Sequence, residues 1–386
     1  MTKPLPDMMD CFAELIAIPS VSSTDPAFDM TNRAMVETLA NWFGDLGMDT
    51  ELIPVPGSAV EKFNLVARMG EGADGLVLSG HTDTVPYNEA GWSSDPFILT
   101  EREGRLYGLG TADMKSFFPL IIEAIRSLDL KSRDRPLVVL ATADEESSMA
   151  GVRALQDSGM RLGRHALIGE PTGLVPVIKH KGILIEHIEL TGQSGHSSDP
   201  SLGNNALEGM NRVMNRLLEW RKELQSSFHD SSFRVPVPTM NLGAIRGGDN
   251  PNRICASCEL AMDIRLLPEM AVDEIRAALR EKVAAAIEGS GLQLHFKEQH
   301  AGMGGMQTPA DAEIVRVAEA LSGRESATVA FGTEGPYLNA MGMQTVILGP
   351  GDIEVAHQTD EFVSMDRLQP MQKILEKMIQ HFCLPS

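Results

Sequence analysis

The chain has 386 residues, of which 43% are hydrophobic and only 5% aromatic, and its formal net charge is −20. This length favours two domains. The acidic balance argues against nucleic acid or an anionic membrane surface as a partner, because both bind positively charged surfaces. No apolar run approaches the ~20 residues of a membrane span, and residues 1–7 lack the apolar core of a signal peptide, so we expect a cytoplasmic protein.

The first part of the chain alternates helices with strands. Helices are predicted where apolar residues recur every three to five positions, at residues 7–19, 28–47 and 114–128. Strands are predicted at residues 51–55, 64–69, 75–78, 136–142 and 165–169, with a hairpin at 101–107. This alternation indicates the α/β class, with a mostly parallel sheet and helices on both faces.

The pattern changes near Lys179. A half-exposed strand, a long helix, two strands, a helix and a strand are predicted at 182–192, 204–224, 240–245, 253–265, 272–288 and 292–296. This order is that of a ferredoxin-like α+β unit, which we interpret as a domain inserted into the first. The first pattern resumes with elements at 313–321, 344–349 and 366–382. The predicted domains are therefore 1–178 with 299–386, and 179–298.

Cys255 and Cys258 form a C-x-x-C pair that could bind a metal or form a disulfide. They fall in a predicted strand, where residues three apart point to opposite faces and cannot share one ion. The sequence has no second C-x-x-C pair. We therefore expect a structural role for these cysteines.

Five residues at or beyond the ends of predicted strands and loops carry metal-binding side chains. They are His81, Asp113, Glu146, Glu170 and His357. The first four follow one another at about the spacing of one strand and one helix, so parallel strands would present them at the same sheet edge. Taken singly, each could be a core histidine or a surface acid. Taken together, two imidazoles and three carboxylates suit Zn²⁺, Co²⁺ or Mn²⁺, and five ligands suit two metals.

The run Asp144-Glu145-Glu146 places a second glutamate beside a candidate ligand. One of the two can bind metal while its neighbour acts as a general base on water. Three adjacent carboxylates repel one another, and a nearby dication would relieve that repulsion. Asp83, two residues after His81, can accept the second N–H of the imidazole and fix its tautomer.

The predicted inserted domain offers three further candidates. His196 lies in a turn-rich loop and could donate to an oxyanion, although a surface histidine is the simpler interpretation. Asn252 and Arg265 flank one predicted strand. An arginine there could clasp a substrate carboxylate with two hydrogen bonds, or it could form an ordinary surface salt bridge.

The motifs together resemble those of the M20 co-catalytic zinc peptidases and deacylases. The resemblance is carried, in order, by Gly80-His81-Thr82-Asp83-Thr84-Val85-Pro86, Gly110-Thr111-Ala112-Asp113-Met114-Lys115, Asp144-Glu145-Glu146, Gly169-Glu170-Pro171-Thr172 and Ser194-Gly195-His196-Ser197. It covers nearly the whole chain. One departure is Ser116, where deacetylases of this kind usually carry glycine.

The resemblance implies a role for each candidate residue. Asp113 would bridge two Zn²⁺ or Co²⁺ ions, one completed by His81 with Glu170 and the other by Glu146 with His357. Glu145 would be the general base, and Asp83 would orient His81. Asn252 and Arg265 would lie near the substrate carboxylate. Family members are often homodimers in which the histidine matching His196 reaches the partner's site, so the inserted domain is expected to act as a lid and dimerisation domain.

Within the family, four segments most resemble enzymes that act on N²-acetyl-L-ornithine. They are Gly192–Pro200, Asn252-Arg253-Ile254-Cys255, Met262-Asp263-Ile264-Arg265-Leu266-Leu267-Pro268 and Gly332–Glu334. The implied reaction is metal-assisted amide hydrolysis, a step of arginine biosynthesis. Two alternatives remain open. One is a related deacylase that acts on succinyl-diaminopimelate, another N-acylamino acid or a dipeptide, and the other is a catalytically silent binding protein of the same fold.

Overall fold

The computed structural model describes residues 5–297 and 301–385, and the chain divides into two compact units. The first unit comprises Met1–Ile178, Thr308–Ala327 and Thr333–Ser386, and the second comprises Lys179–Gln307 and Thr328–Gly332. The predicted boundary between residues 298 and 299 lies outside the described residues. Among the described helices, none is long and apolar enough to cross a membrane.

The predicted helices and strands are present in the described chain, and further short ones lie between them. The helices are α1 (Met8–Ile16), α2 (Arg33–Asp45), α3 (Phe117–Arg126), α4 (Ala150–Asp157), α5 (Ala206–Ser227), α6 (Val272–Ala286), α7 (Glu313–Ser322), α8 (Gly335–Ala340) and α9 (Leu368–Cys383). The strands are β1 (Asp49–Pro54), β2 (Phe63–Met69), β3 (Leu76–His81), β4 (Thr100–Arg102), β5 (Arg105–Tyr107), β6 (Leu137–Thr142), β7 (His165–Ile168), β8 (Val177–His180), β9 (Gly182–Thr191), β10 (Thr239–Gly247), β11 (Ser257–Leu266), β12 (Gln293–Lys297), β13 (Met306–Gln307), β14 (Ala327–Val329), β15 (Gln344–Ile347) and β16 (Phe362–Ser364).

The main sheet of the first unit contains, in order, β1-β2-β6-β3-β7-β15, and β15 also pairs with β8 through Ile347 and Val177. Its centre is parallel, because β6, β3, β7 and β15 pair in the same direction, whereas β1 and β2 add antiparallel pairs at one side. All six residues of β3 and all six of β6 are buried, as expected of parallel strands covered on both faces. The predicted α/β class is therefore confirmed.

Alternate residues of the central strands face two different layers. Leu76 and Leu78 of β3 belong to a hydrophobic core that includes residues of α1, α2, α3, α7 and α9. Val77 lies between them in the strand and outside that core, so it faces the opposite side. There α4 contacts β2, α8 contacts β15, and the two helices contact each other. Both faces of the sheet are thus covered by helices, so a site for a ligand has to lie at the ends of the strands.

The second unit contains an antiparallel sheet of order β10-β11-β9-β12. In β9 and β11, buried residues alternate with partly exposed ones. Their buried residues join those of α5 and α6 in a separate core. The order along the chain is β9-α5-β10-β11-α6-β12, which is the predicted β-α-β-β-α-β order.

Three local differences from the predictions have physical causes. Helix α3 begins at Phe117 rather than near Met114, because the preceding loop makes turn hydrogen bonds such as that from the Lys115 N–H to the Gly110 carbonyl. Helices α4 and α8, of eight and six residues, are too short for helical periodicity to reveal. Strand β11 begins at Ser257, so the premise that both cysteines of the C-x-x-C pair lie on a strand is wrong. All four cysteines are free and buried.

Candidate metal centre

His81 lies at the carboxyl end of β3, where the buried apolar run ends. Its side chain is 1% exposed, and in the sheet it pairs in register with Thr142, the last residue of β6. The imidazole Nε2 lies 2.9 Å from Asp113 Oδ1 and 3.8 Å from Glu170 Oε1. The parallel strands therefore bring an imidazole and two carboxylates together at one sheet edge.

Asp113 lies between two histidines. Its Oδ1 faces His81, and its Oδ2 lies 3.3 Å from His357 Nε2. The second histidine lies beyond β15, half exposed, and its Nε2 is 2.9 Å from Glu146 Oε1. The two oxygens of one carboxylate thus face two imidazoles, each beside a further glutamate, which is the arrangement that a bridging ligand requires.

Glu145 and Glu146 lie in the turn that follows β6. Asp144 begins the turn with a positive φ of 58°. The Asp83 carboxylate accepts hydrogen bonds from the backbone N–H groups of Glu145 (3.2 Å) and Glu146 (3.1 Å). The His81 Nδ1 lies closer to the Asp83 carbonyl oxygen, at 2.9 Å, than to its carboxylate, at 3.7 Å. The Asp83 backbone therefore orients His81, and its side chain holds the acidic turn.

Glu170 follows β7 and is 5% exposed. The residue before it, Gly169, must be small, because a Cβ there would lie 2.2 Å from the ring of Phe117. The glycine lets the chain pass close to α3, so that the strand end can present Glu170 beside His81.

The cluster is rich in buried carboxyl groups, and burial changes their pKa values. Burial raises the pKa of Glu145 and of Glu170 well above the usual value for glutamate, and neighbouring carboxylates add to the increase. Burial also raises the pKa of Glu146. Burial alone would lower the pKa of His81, but its hydrogen bond to Asp113 and the nearby acids raise it well above the usual value. Hydrogen bonds to Asp113 and Glu146 raise the pKa of His357 to about 10.

These donors fit divalent metals. Ligand atoms of His81, Asp113 and Glu146 lie within 4.8 Å of one another, as do those of His81, Glu145 and Glu170. Imidazole nitrogens and carboxylate oxygens are ligands of Zn²⁺ and Co²⁺. A dication would also offset the electrostatic cost of burying several carboxylates together. The first unit therefore contains a complete candidate metal centre.

His196, Asn252 and Arg265 belong to the second unit. His196 and Asn252 are exposed neighbours: His196 bridges to Arg253, and the Ser197 N–H donates to the Asn252 carbonyl at 3.0 Å. Arg265 lies near the far end of β11, 35% exposed, and its Nε donates to Asp263 Oδ1 at 3.0 Å. Within this unit, His196 and Asn252 share one end of the sheet, and Arg265 lies at the other.

Two buried residues around the centre were not predicted as site residues. Lys62 is 1% exposed, and its Nζ lies 2.7 Å from carboxylate oxygens of both Asp29 and Asp144, so it balances the acidic turn. Glu361 binds the backbone of the loop that carries Asp113. Neither residue follows a predicted strand, the position that marked the candidate ligands in the sequence. The one available signal for Glu361 is its place four residues after His357.

Comparison with known proteins identifies relatives of the chain. The sequence profile of Peptidase family M20/M25/M40 matches residues 77–381. The chain is 47% identical over 382 residues to acetylornithine deacetylase of Pasteurella multocida (strain Pm70), covering 99% of both chains. It is 46% identical over 379 residues to acetylornithine deacetylase of Pectobacterium carotovorum subsp. carotovorum (strain PC1), covering 98% of both.

A solved structure shares the fold. The M20 family metallo-carboxypeptidase Sso-CP2 from Sulfolobus solfataricus superposes with a TM-score of 0.77 at 17% identity, over 98% of this chain and 99% of that one. The profile match covers most of the chain, and the deacetylases match it over nearly its full length. The chain belongs to Peptidase family M20/M25/M40.

Proposed function

We propose that this protein hydrolyses the amide bond of N²-acetyl-L-ornithine to acetate and L-ornithine, as a step of arginine biosynthesis in the cytoplasm. The observation that carries the proposal is the 45–47% identity, over 98–99% of the chain, to proteins named acetylornithine deacetylase. The cluster of imidazoles and carboxylates in the first unit supplies the ligands that a metal-dependent hydrolase needs.

Five residues would hold two divalent ions, which we propose to be Zn²⁺, with Co²⁺ as the alternative. Asp113 would be shared, since its two oxygens face His81 and His357. Glu170 would join His81, and Glu146 would join His357. When bound, the ions would polarise the amide carbonyl and lower the pKa of a water molecule to about 7.

Glu145 would act as the general base and then the general acid. It takes a proton from the attacking water and returns it to the departing α-amine, so that the C–N bond breaks without releasing an amide anion. Its backbone is held by Asp83 through the hydrogen bond at 3.2 Å. Burial raises the pKa of Glu145, which brings a carboxylate closer to the range in which it can exchange protons near neutral pH.

The second unit would supply substrate contacts. His196 would donate a hydrogen bond to the oxyanion as the tetrahedral intermediate forms. Arg265 would bind the α-carboxylate of the substrate, which a guanidinium can clasp with two parallel hydrogen bonds. Asn252 would contact the same carboxylate as an amide donor.

Distances within the second unit favour a homodimer. Strand β11 has ten residues, so it is about 30 Å long, with Arg265 near its end and Asn252 before its start. One chain cannot bring both side chains to one small carboxylate, so a second copy would have to supply one of them. An exposed edge strand supports association, since β10 pairs only with β11 in the described sheet and exposes Ile245 at 49%. We propose that His196 and Asn252 act at the partner's site.

A substrate panel tests the reaction. With metal-loaded protein, N²-acetyl-L-ornithine is expected to give a kcat/KM at least about tenfold above those of N-succinyl-diaminopimelate, other N-acylamino acids and dipeptides, a difference of about 1.4 kcal/mol in transition-state binding. The measurement is the steady-state rate with each substrate, at the same metal concentration throughout. A clear preference for the succinylated substrate would replace the proposed substrate with that of a related deacylase.

Mixing two inactive variants tests the dimer. Glu145→Ala and His196→Ala are each expected to be inactive alone. After subunit exchange, the mixture should recover about one quarter of wild-type activity, because about half of the randomly paired dimers are mixed and each has one intact site. Sedimentation gives the oligomeric state. No recovery from a mixture shown to exchange subunits would mean that His196 acts within its own chain, and a fully active His196→Ala variant would mean that it has no catalytic role.

A further inference from the structure

Glu361 anchors the loop that carries Asp113. Its side chain is 1% exposed. Oε1 accepts hydrogen bonds from the backbone N–H groups of Ala112 (2.8 Å) and Asp113 (3.0 Å), and Oε2 accepts one from the Gly110 N–H (3.1 Å). Three donors of one short loop therefore converge on a single carboxylate, which follows Asp113 by 248 residues.

The backbone of Glu361 continues the same attachment. Its carbonyl oxygen accepts hydrogen bonds from the Gly108 N–H at 3.1 Å and from the Thr111 hydroxyl at 3.3 Å. The next residue, Phe362, pairs with Tyr107 in the ladder between β16 and β5. Hydrogen bonds to Glu361 therefore continue the pairing of β16 with β5 into the loop after β5, which is not part of a strand.

The loop depends on an outside acceptor. It lies between β5 and α3, and its glycines Gly108 and Gly110 have φ angles of 155° and 86°. Such a path leaves backbone N–H groups pointing inward without helical or strand partners. A buried N–H without an acceptor is unfavourable, so replacing the Glu361 carboxylate would let the loop rearrange.

The segment of Glu361 also carries His357, four residues earlier. The Nε2 of that histidine lies 3.3 Å from Asp113 Oδ2. One carboxylate therefore ties together the two backbone segments that present Asp113 and His357. The Lys115 ammonium, buried in the same loop, is bound to the carbonyls of Leu15 and Ile18 and does not take this role.

We infer that Glu361 is a positioning residue for the metal pair, one that holds Asp113 and His357 at the separation that two ions require. The inference rests on the two-metal centre of the proposed function. It assigns Glu361 no contact with substrate. Its effect should fall most on the ion that His357 and Glu146 would hold, because both the shared ligand and one of that ion's own ligands depend on the attachment.

Glu361→Gln is a sharp test, because glutamine has nearly the same shape. It keeps one acceptor oxygen for the Ala112 and Asp113 N–H groups but turns the other into an NH₂ donor facing the Gly110 N–H. Residues that orient metal ligands typically change metal affinity about 10- to 100-fold when replaced. We call the ion that His81 and Glu170 would hold the first Zn²⁺, and the ion that His357 and Glu146 would hold the second. We expect the affinity for the second Zn²⁺ to fall by about that factor, while the first Zn²⁺ binds nearly as in the wild type.

The measurement is calorimetric titration of the metal-free proteins with Zn²⁺, repeated with Co²⁺ and its visible absorption spectrum. Glu361→Asp, which keeps the charge but shortens the side chain, should give an intermediate second affinity and an intermediate spectrum. Glu354→Gln is the matched control, an exposed glutamate of the same segment, and should bind both ions like the wild type.

Three outcomes would overturn the inference. One is unchanged binding of both ions by Glu361→Gln. Another is equal loss of both ions together with a lower melting temperature of the metal-free variant, because that result marks a residue that only stabilises the fold. The third is an affinity of Glu361→Asp for the second Zn²⁺ equal to that of Glu361→Gln rather than intermediate. A wild type that binds two ions but does not hydrolyse N²-acetyl-L-ornithine would refute the proposed substrate and leave this inference standing.

Discussion

Glu145→Gln should lower kcat by about 10²- to 10⁴-fold, the usual contribution of a general acid–base group, while metal content stays near two ions per chain. The amide cannot take a proton from water, but it preserves the shape of a side chain that is only 8% exposed. Because the loss falls on the chemical step, KM should change little. Atomic absorption gives the metal content, and steady-state kinetics on the same preparation give kcat and KM.

The same substitution at the next residue distinguishes a base from a metal ligand. Glu146 directly follows Glu145, and its Oε1 lies 2.9 Å from His357 Nε2. Glu146→Gln should lose metal along with activity, whereas Glu145→Gln should lose activity alone. A Glu145→Gln variant that hydrolyses the substrate at the wild-type rate would show that another group is the base. If Glu145→Gln lost as much metal as Glu146→Gln, Glu145 would be a metal ligand instead of the base. Its ligand atom lies close enough to those of His81 and Glu170 for that role.

Removing the metals should abolish hydrolysis and lower the melting temperature, and the difference in stability should widen as pH rises. The pKa values of Glu145, Glu146 and Glu170 are raised by burial above their ordinary value of 4.5. The folded metal-free chain therefore binds protons that the unfolded chain has already released, so its free energy of unfolding falls as pH rises above 4.5.

The histidines act in the same direction. Hydrogen bonds to acids raise the pKa of His357 from 6.5 to about 10, and the pKa of His81 is also raised. Their contribution to stability is complete below pH 6.5 and is lost as pH rises through the folded-state pKa. Asp113 has a lowered pKa, but its contribution is already complete by about pH 5 and does not reverse the trend.

Bound ions oppose this loss, since they bind the deprotonated ligands and their affinity increases with pH. Thermal melts of chelator-treated and metal-loaded protein at pH 5.5, 7 and 8.5 should therefore show a growing gap, on the order of several kcal/mol at the highest pH. Returning Zn²⁺ at the same pH is the control and should restore both melting temperature and activity. A gap that narrows with pH would contradict the proposed centre.

The buried strands were the most predictable part of the chain. The apolar runs that become β3, β6 and β7 are recognisable from a few consecutive residues, because a strand covered on both faces is almost continuously hydrophobic. The amphipathic pattern of α5, and the alternating burial of β9 and β11, depend equally on local sequence. The roles predicted for the individual site residues stay predictions, although the structure brings His81, Asp113, Glu146, Glu170 and His357 together.

Residues that act across long sequence separations were not predictable in this way. Lys62 pairs with Asp144, 82 positions later, and nothing near either residue in the sequence indicates a buried ion pair. Glu361 accepts hydrogen bonds from backbone N–H groups, which every residue type except proline supplies, so no particular residue type marks its partners in the sequence. A lysine and a glutamate are expected at the surface unless tertiary contacts pair them.

By itself, the sequence determined the α/β class, the metal-binding residue types and their recurrence at strand ends, because hydrophobic period and strand-to-helix spacing are local properties of the chain. Only the tertiary structure decided that the two oxygens of Asp113 face different histidines. It also showed that the Asp83 carboxylate holds the Glu145–Glu146 turn. Such contacts depend on how distant segments pack, and ångström-scale separations between them are not encoded in any one stretch of residues.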